Sequence, residues 1–453
     1  MKRVMKKIIL HLRRATFLCV MLGLCLASCP AQDVTTKVDD YLKSAIEKSH
    51  FSGAILIARE GRVIVRQGYG LANVEHDVPA TPETKFRIGS LTKQFTAAAI
   101  LMLQQRGKVQ TQDAVCKHLP DCLPAWQQIT VHQLLTHTSG LPNVDHTVEA
   151  KAPMSLKYTL QTFKEQPLEF NPGARFQYSN TNYLILGYII EHISGTSYDR
   201  FLDNNIFRPL KMTNTGYDNH ERILKQRAAG YSLRADKYIN ASYVDMSVPF
   251  AAGGLYSTID DLFLWEQSLS TETLLSKKSI ATMFTPHKGG YGYGWYVGER
   301  YGRKSISHGG WISGFASSVV RYPDERVTII VLSNLDNLPV NTMSRHLAAI
   351  IFGTEGATLK ERKVASVNPR IFDAYVGQYQ LTPTFLITIT KEGDRLMGQA
   401  TGFPKIELLP ASDIEFFVKE FDAQILFVED GKGTVTHSNL TLNGQEAQAK
   451  KIP

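Results

Sequence analysis

Cysteine is scarce in this 453-residue chain: there are five, and three of them (Cys19, Cys25, Cys29) fall in the first twenty-nine positions, leaving Cys116 and Cys122 for the body. A fold held together by disulfides is thereby excluded. The remaining pair encloses Pro120 in a short stretch, and a local bridge or two reduced, packed thiols fit it equally. Thirteen histidines are present, but none stands in His-Glu-x-x-His or a comparable ligand spacing, so no metal site and no cofactor is implied. The Gly-x-Ser-x-Gly elbow of α/β-hydrolases is also missing. There is no internal repeat and no low-complexity tract.

Charge of one sign is lacking too. The formal net charge is +8, yet Lys2, Arg3, Lys6, Lys7, Arg13 and Arg14 supply six of the 50 basic residues, which leaves 44 against 42 acidic ones. A near-neutral body without a basic stripe among aromatics has no field for phosphate backbones, so nucleic acid is set aside as a partner. What remains is an ordinary globular composition, 43% hydrophobic with 19 Tyr and 21 Phe. The length exceeds what one core supports, so two units are expected.

The first residues read as an export leader. A basic stretch to Arg14 precedes the apolar run Ala15 to Leu26, which is too short to cross a bilayer. The run ends Leu26-Ala27-Ser28-Cys29, similar to a bacterial lipobox, in which the cysteine is lipidated and becomes the mature N-terminus. Residues 1–28 would then be the signal peptide, and lipid on Cys29 would hold the protein to a membrane surface in the periplasm or cell envelope with no spanning helix. The alternative is cleavage near Ala31 and a soluble exported protein.

Along the body, residues 53–70 show two β-branched runs around Glu60-Gly61, a hairpin signal. From Ser90 to Arg106 neither Pro nor Gly interrupts a run rich in Ala, Leu and Gln, which stops at Gly107 as a helix does. Residues 108–250 mix helical patterns such as Asn182 to Ile193 with Pro- and Gly-rich loops, so a mainly helical insert is expected. Strand patterns return at Tyr291 to Val297, Ala316 to Tyr322 and Val327 to Ser333, followed by a helix from about Val340 to Phe352. Past Gly356 come a polar stretch and then short strand-like runs: Phe385 to Thr390, Arg395 to Ala400, Ile414 to Val418, Ile425 to Glu429 and Leu440 to Leu442. The expected fold is an α/β (α+β) domain over residues 29–358, an antiparallel sheet flanked by helices, followed by a small all-β unit over 366–453.

Ser90-Leu91-Thr92-Lys93 sets a hydroxyl and an amine three apart at a helix start, on one face. A serine is a weak nucleophile until its proton is removed, and a desolvated lysine can remove it near neutral pH. Four residues alone are weak evidence, since a capping serine and a surface lysine give the same string. Two companions follow: Tyr178-Ser179-Asn180, after the turn Asn171-Pro172-Gly173, and His308-Gly309-Gly310 ahead of a strand.

In this order the three motifs resemble those of the serine β-lactamase and DD-peptidase superfamily. The closest resemblance is to class C β-lactamases, D-alanyl-D-alanine carboxypeptidases, D-aminopeptidases and related esterases. Phe86-Arg87-Ile88-Gly89, Leu134 to Leu141, Ala252 to Ser257 and Gly314-Phe315 extend it from about residue 38 to 355. The resemblance implies a serine hydrolase in which Ser90 is acylated, Lys93 and Tyr178 move its proton, Asn180 binds Lys93 and the substrate, and the backbone N–H groups of Ser90 and Trp311 form the oxyanion hole, with Gly309 and Gly310 lining the substrate strand. His137 and Ser139 match a stretch that packs beneath the site and are given no catalytic role.

One departure stands out: His308-Gly309-Gly310 occupies the place of Lys-Thr-Gly in class C enzymes. A histidine is only partly charged near neutrality, and it is either part of the catalytic set or a support for geometry. Strong β-lactamase activity is therefore not expected. The implied substrates are D-amino-acid peptides, then carboxylic esters, then β-lactams, all small molecules or peptides. A reading of a different class is a penicillin-binding or sensing module that acylates without turnover. The tail, on Tyr375-Val376-Gly377-Gln378-Tyr379, resembles the lipocalin-like β-barrel that follows this domain in some relatives. No oligomeric state follows from the sequence.

Overall fold

The computed structural model describes residues 30–120, 122–143, 166–234, 237–354, 364–382, 385–400, 405–418, 423–431, 433–442 and 445–452. The leader and Cys29 lie outside them. In chain order the first unit consists of α1 (Pro30–Ser49), β1 (Gly53–Arg59), β2 (Arg62–Tyr69), α2 (Thr92–Gln105), α3 (Asn180–Ser194), α4 (Ile259–Ser268), β3 (Tyr296–Arg300), β4 (Arg303–Ile312), β5 (Phe315–Tyr322), β6 (Val327–Ser333) and α5 (Val340–Phe352), with shorter pieces between. The six strands form one antiparallel sheet in the order β3-β4-β5-β6-β1-β2. Strands from the two ends of the unit therefore meet at the β1–β6 pair, where Ile55 lies opposite Val331.

β1 is apolar on both faces and buried from Gly53 to Ala58 because both faces are covered. On one face Ile55, Ile57 and Val331 pack against Val38 and Leu42 of α1 and Leu347 and Ile351 of α5. On the other, Ala54, Leu56, Ile330 and Leu332 join the larger core of α2, α3 and α4. Each fully buried aliphatic side chain contributes about 1.5–3 kcal/mol of transfer free energy. α2 is buried from Thr92 through Leu103, so its first turn, including Lys93, is fixed by packing on all sides.

The strand expected at Tyr291 begins only at Tyr296. Gly294 is in the left-handed region there, and residues 291–295 form a bend that tucks Tyr291, Tyr293 and Trp295 into the core. The helical insert also carries small strands: Tyr231–Arg234 pairs with Lys237–Asn240, and Leu255–Ser257 bridges Phe86–Arg87 and Gly216–Tyr217. Cys116 and Cys122 are joined by a disulfide that closes a small loop. No helix among the described residues is long and apolar enough to cross a membrane.

The second unit is a closed eight-stranded barrel of β7 (Gly377–Thr382), β8 (Phe385–Glu392), β9 (Arg395–Ala400), β10 (Ile406–Pro410), β11 (Glu415–Phe417), β12 (Ala423–Glu429), β13 (Val435–Leu442) and β14 (Gln445–Ile452). It closes where Gln378 and Tyr379 of β7 meet Ile452 and Lys451 of β14. Its core holds Tyr379, Ile389, Leu396, Leu408, Phe416 and Phe427. A short helix, Phe372–Tyr375, lays Tyr375 flat on Phe427 with ring centroids 4.3 Å apart. Eight strands enclose a space that side chains of this size fill.

Candidate active site

Ser90 lies where a short strand turns into α2. Phe86 and Arg87 pair with Ser257 and Tyr256, the Ile88 N–H donates to Leu255 O at 3.0 Å, and a single 3₁₀ turn, Gly89–Leu91, leads into Thr92. This turn is pressed against β4. A Cβ on Gly310 would lie 2.1 Å from Ile88 O, and one on Gly89, whose φ is +50°, would lie 2.8 Å from the Trp311 nitrogen. Only glycine permits that approach. Ser317 Oγ secures it by donating to Ile88 O at 2.8 Å. The backbone of Trp311 is thereby held beside that of Ser90.

β4 pairs with β3 only as far as Ser307, whereas its pairing with β5 continues to Ile312. From His308 to Ile312 the edge facing the Ser90 turn is therefore unpaired by β3, and it presents backbone groups to an extended substrate. Gly309 and Gly310 sit on this edge. The Trp311 indole is half-exposed, and its Nε1 donates to Asp336 O at 2.8 Å.

Lys93 is fully buried. Its Nζ is 2.9 Å from Ser90 Oγ, 2.8 Å from Asn180 Oδ1 and 2.8 Å from Ala252 O. No carboxylate is among these partners. Burial pushes the amine well below the usual lysine range, and the positive end of α2 acts in the same direction. A neutral amine has two N–H groups and one lone pair. Asn180 Oδ1 and Ala252 O accept only, so they take the two hydrogens and leave the lone pair to the Ser90 hydroxyl.

Tyr178 flanks the pair. Its ring centre is 4.9 Å from Lys93 Nζ, and burial holds its phenol well above the ordinary tyrosine value, with the Ser90 hydroxyl as a hydrogen-bonding neighbour pulling the other way. It stays protonated at neutral pH. Behind it lies His137, fully buried, with ring centres 4.2 Å apart. His137 Nδ1 accepts from the Ser179 N–H at 3.2 Å and from Asn182 Nδ2 at 3.1 Å, so this imidazole supports the Tyr178 loop. Ser139 Oγ donates to Asn182 Oδ1 at 2.6 Å on the same scaffold.

His308 is brought near the set, packed against Tyr291 and Tyr296. It is buried, and Nδ1 lies 2.5 Å from its neighbour's carbonyl, Gly309 O. A carbonyl only accepts, so Nδ1 carries the proton and Nε2 accepts from the Tyr291 hydroxyl at 3.0 Å. Burial pushes His308 down to about 3, and Lys93 pushes the same way whenever it carries a proton. It is a neutral ring whose centre lies 6.1 Å from that of Tyr178.

The structure thus gathers Ser90, Lys93, Tyr178 and Asn180 around one point, with Gly309, Gly310 and the Trp311 backbone along its edge. Ala252 O and the Tyr291 hydroxyl were not foreseen from the sequence. A main-chain carbonyl has no residue signature, and Tyr291 read as a strand residue. Cys29 lies outside the described residues.

Comparison with known proteins agrees with this geometry. The family model described as "Beta-lactamase" matches residues 36–351, and one described as a domain of unknown function, DUF3471, matches 361–451. Penicillin-binding protein 4* of Bacillus subtilis (strain 168) is 28% identical over 418 residues, covering 84% of this chain and 91% of that protein. The octameric penicillin-binding protein homologue from Pyrococcus abyssi superposes with a TM-score of 0.66 at 26% identity, covering 92% of this chain and 99% of that one. The D-amino acid amidase from Ochrobactrum anthropi SV3 shares the fold of the first unit, with a TM-score of 0.64 at 23% identity over 71% of this chain and 99% of that one. Through a family match that covers all six strands and nearly all of the helices of its first unit, the chain belongs to the beta-lactamase family of serine hydrolases related to penicillin-binding proteins.

Proposed function

We propose that the protein hydrolyses amide or ester bonds through an acyl-Ser90 intermediate, with D-amino-acid peptides as the foremost substrates and simple esters next. The observation that carries this reading is the set of three partners around Lys93, two of which fix its hydrogens and direct its lone pair at Ser90 Oγ. As the substrate carbonyl approaches the open edge of β4, Lys93 takes the Ser90 proton while the Oγ–C bond forms. The negative charge on the carbonyl oxygen then meets the N–H groups of Ser90 and Trp311. Tyr178, protonated and beside Ser90, passes its proton to the leaving nitrogen or oxygen and is refilled from Lys93. Water reverses the sequence and frees the acid. Positioned proton transfer of this kind contributes typically 10²–10⁴-fold.

The neutral, buried His308 supports peptidase or esterase chemistry over β-lactam hydrolysis, because a neutral ring stands where class C enzymes place their lysine. The amidase that shares the fold supports the D-amino-acid preference, since the same architecture there accommodates such substrates. The reading also places the protein outside the cytoplasm, lipid-anchored through Cys29; labelling with a palmitate analogue, lost in Cys29→Ala, tests that part.

Intact-mass analysis of the body of the chain with a fluorophosphonate and with a penicillin tests the chemistry. One adduct on wild type, absent in Ser90→Ala and slowed in Lys93→Ala, is the expected result. Absence of any adduct with either reagent sinks the reading. A stable penicillin adduct together with no turnover of D-amino-acid amides or esters would establish the non-hydrolytic binding module instead.

A further inference from the structure

The three hairpins of the main sheet turn at the same end. Arg59 lies opposite Arg62 across the β1–β2 turn, Arg300 opposite Arg303 across β3–β4, and Tyr322 opposite Val327 across β5–β6. The pairs Arg59–Val327 and Ile306–Arg321 set these turns side by side. The nucleophile turn is at the other end. It meets Gly310, seven residues along β4 from Arg303, which is about 23 Å at the rise of a strand.

The two helices on the α1–α5 face of the sheet show where the chain enters. α5 starts seven residues after β6 and finishes at the hairpin end, with the Phe352 ring 4.8 Å from that of Tyr322 and 4.3 Å from the Arg303 guanidinium. α1 runs the opposite way. Its last residue, Ser49, precedes Gly53 at the site end by four residues, and midway its Tyr41 ring stands 5.7 Å from that of His346. Followed back from Tyr41, α1 comes level with Phe352 near Thr35 and extends about 7 Å further to Pro30. Cys29 is the next residue in the sequence.

Arginine is concentrated at this end. The three turns and the residues that close them carry five arginines against Glu60, Asp324 and Glu325, a surplus of two positive charges. Arg303 is held by Glu325 at 3.2 Å. Arg59, Arg62 and Arg326 are exposed, the barrel leaves them uncovered, and no carboxylate among the described residues pairs with them. They share one corner, where the Glu60 N–H donates to Arg326 O at 2.8 Å and a Cβ on Gly61 would lie 4.0 Å from Arg326 Nη2. Like charges directly opposite each other destabilise a sheet. This end does so twice, in Arg59 with Arg62 and in Arg300 with Arg303. Their guanidinium groups reach further out than the carboxylates beside them, and Val63, next to Arg62, adds a half-exposed apolar side chain.

We propose that this hairpin end is the face by which the anchored protein lies on a bilayer with anionic headgroups, Arg59, Arg62 and Arg326 meeting the phosphates and the nucleophile turned away from the membrane. The proposal rests on the lipid anchor at Cys29 put forward above. Acyl chains at the head of α1 and a basic corner at the same end are two signals that together give stable attachment. With Ser90 about 23 Å above the headgroups, its substrates are soluble or polymer-borne acyl compounds, and lipids of the same bilayer lie out of reach.

The test puts a fluorophore on a single cysteine, Asp324→Cys in the β5–β6 turn or Asn341→Cys at the start of α5, in the lipidated protein reconstituted into phosphatidylglycerol vesicles that carry a nitroxide on some headgroups. The label at 324 is quenched and the label at 341 is not. Equal quenching of the two, or the reverse order, overturns the proposal. Combining Arg59→Gln, Arg62→Gln and Arg326→Gln narrows the difference between the labels, while turnover of a soluble 4-nitrophenyl ester stays at the wild-type value because these residues lie far from the site. A difference that survives the triple substitution overturns the part given to the arginines. If palmitate labelling finds no lipid on Cys29, the anchor reading fails separately. Sedimentation of the unlipidated protein with the same vesicles then decides: binding that is absent on phosphatidylcholine and falls on the order of a hundredfold in the triple variant sustains the face, and absence of binding to phosphatidylglycerol ends it.

Discussion

Two basic side chains are buried on the side of the sheet covered by α2, α3 and α4, and their surroundings differ in one respect. Arg321 of β5 lies against Glu266 of α4, with Nε 3.4 Å from Oε2, Nη2 donating to Ser270 Oγ at 3.1 Å and the guanidinium centre 5.0 Å from the Phe284 ring. Lys93 meets only neutral acceptors. Burial acts on both regions. In the first it falls on the acid, raising Glu266 to about 7 against the pull of Arg321. In the second it falls on the amine, which loses its proton and gains a lone pair. A buried base with a carboxylate is a structural pair, and one without is a reagent.

Lys93→Met separates the two most sharply. The thioether chain fills the same space and removes the base, so kcat should fall about 10³-fold. The folded state loses a buried amine that it had to desolvate, so Tm should hold or rise. A drop in Tm by many degrees with modest loss of kcat would mean that Lys93 is the structural member. Arg321→Met is the converse case. It leaves Glu266 buried without a partner and should cost about 3–5 kcal/mol of stability, read by chemical denaturation, with kcat of the folded protein near wild type. Adding Glu266→Leu should restore most of the loss.

Titration gives the pair opposite signs. Lys93 has a folded pKa below its unfolded one. The unfolded chain therefore binds more protons between the two, and this group's contribution to stability rises with pH across that window. Glu266 has a folded pKa of about 7, above the ordinary 4.5, so the folded state holds the extra proton and stability falls as pH climbs between those values. Denaturation curves of wild type, Lys93→Met and Glu266→Gln across pH 4.5–9 separate them. Acylation of Ser90 should increase with pH as Lys93 deprotonates, with no inflection from His308 near 6.5. A step there that vanishes in His308→Gln would contradict the neutral, buried ring.

Much of this was legible because the deciding features are local. Ser90-Leu91-Thr92-Lys93 sits on one helical turn, the helix over Val340–Phe352 follows from apolar spacing, and Val327–Ser333 from its β-branched run. The strand Arg303–Ile312 was hidden, since its Lys, Ser, His and Gly residues make no apolar or β-branched run; Gly310 is there because Ile88 O needs the space, which is a tertiary fact. The barrel strand Gln445–Ile452 was hidden by its polarity, because closure against Gln378 and Tyr379 rather than an apolar run makes it a strand. That no acid among the described residues pairs with Lys93 depends on which chain segments converge, and spacing does not carry that.

The smallest effect tests the support of the site. Tyr291 donates to His308 Nε2, and that bond, with Gly309 O on the other nitrogen, fixes both tautomer and ring plane. Tyr291→Phe keeps the packing against Tyr178 and His137 and removes only the donor. An unpaired ring nitrogen in a dry site costs about 1 kcal/mol, so kcat/KM should fall about fivefold through small rotations of the Gly309–Gly310 edge, with KM rising more than kcat falls. Nitrogen-15 NMR of histidine should still show His308 neutral, now without a hydrogen bond at Nε2. A hundredfold loss in kcat at unchanged KM would instead move Tyr291 into the proton path, joining Tyr178 as a donor rather than standing behind it.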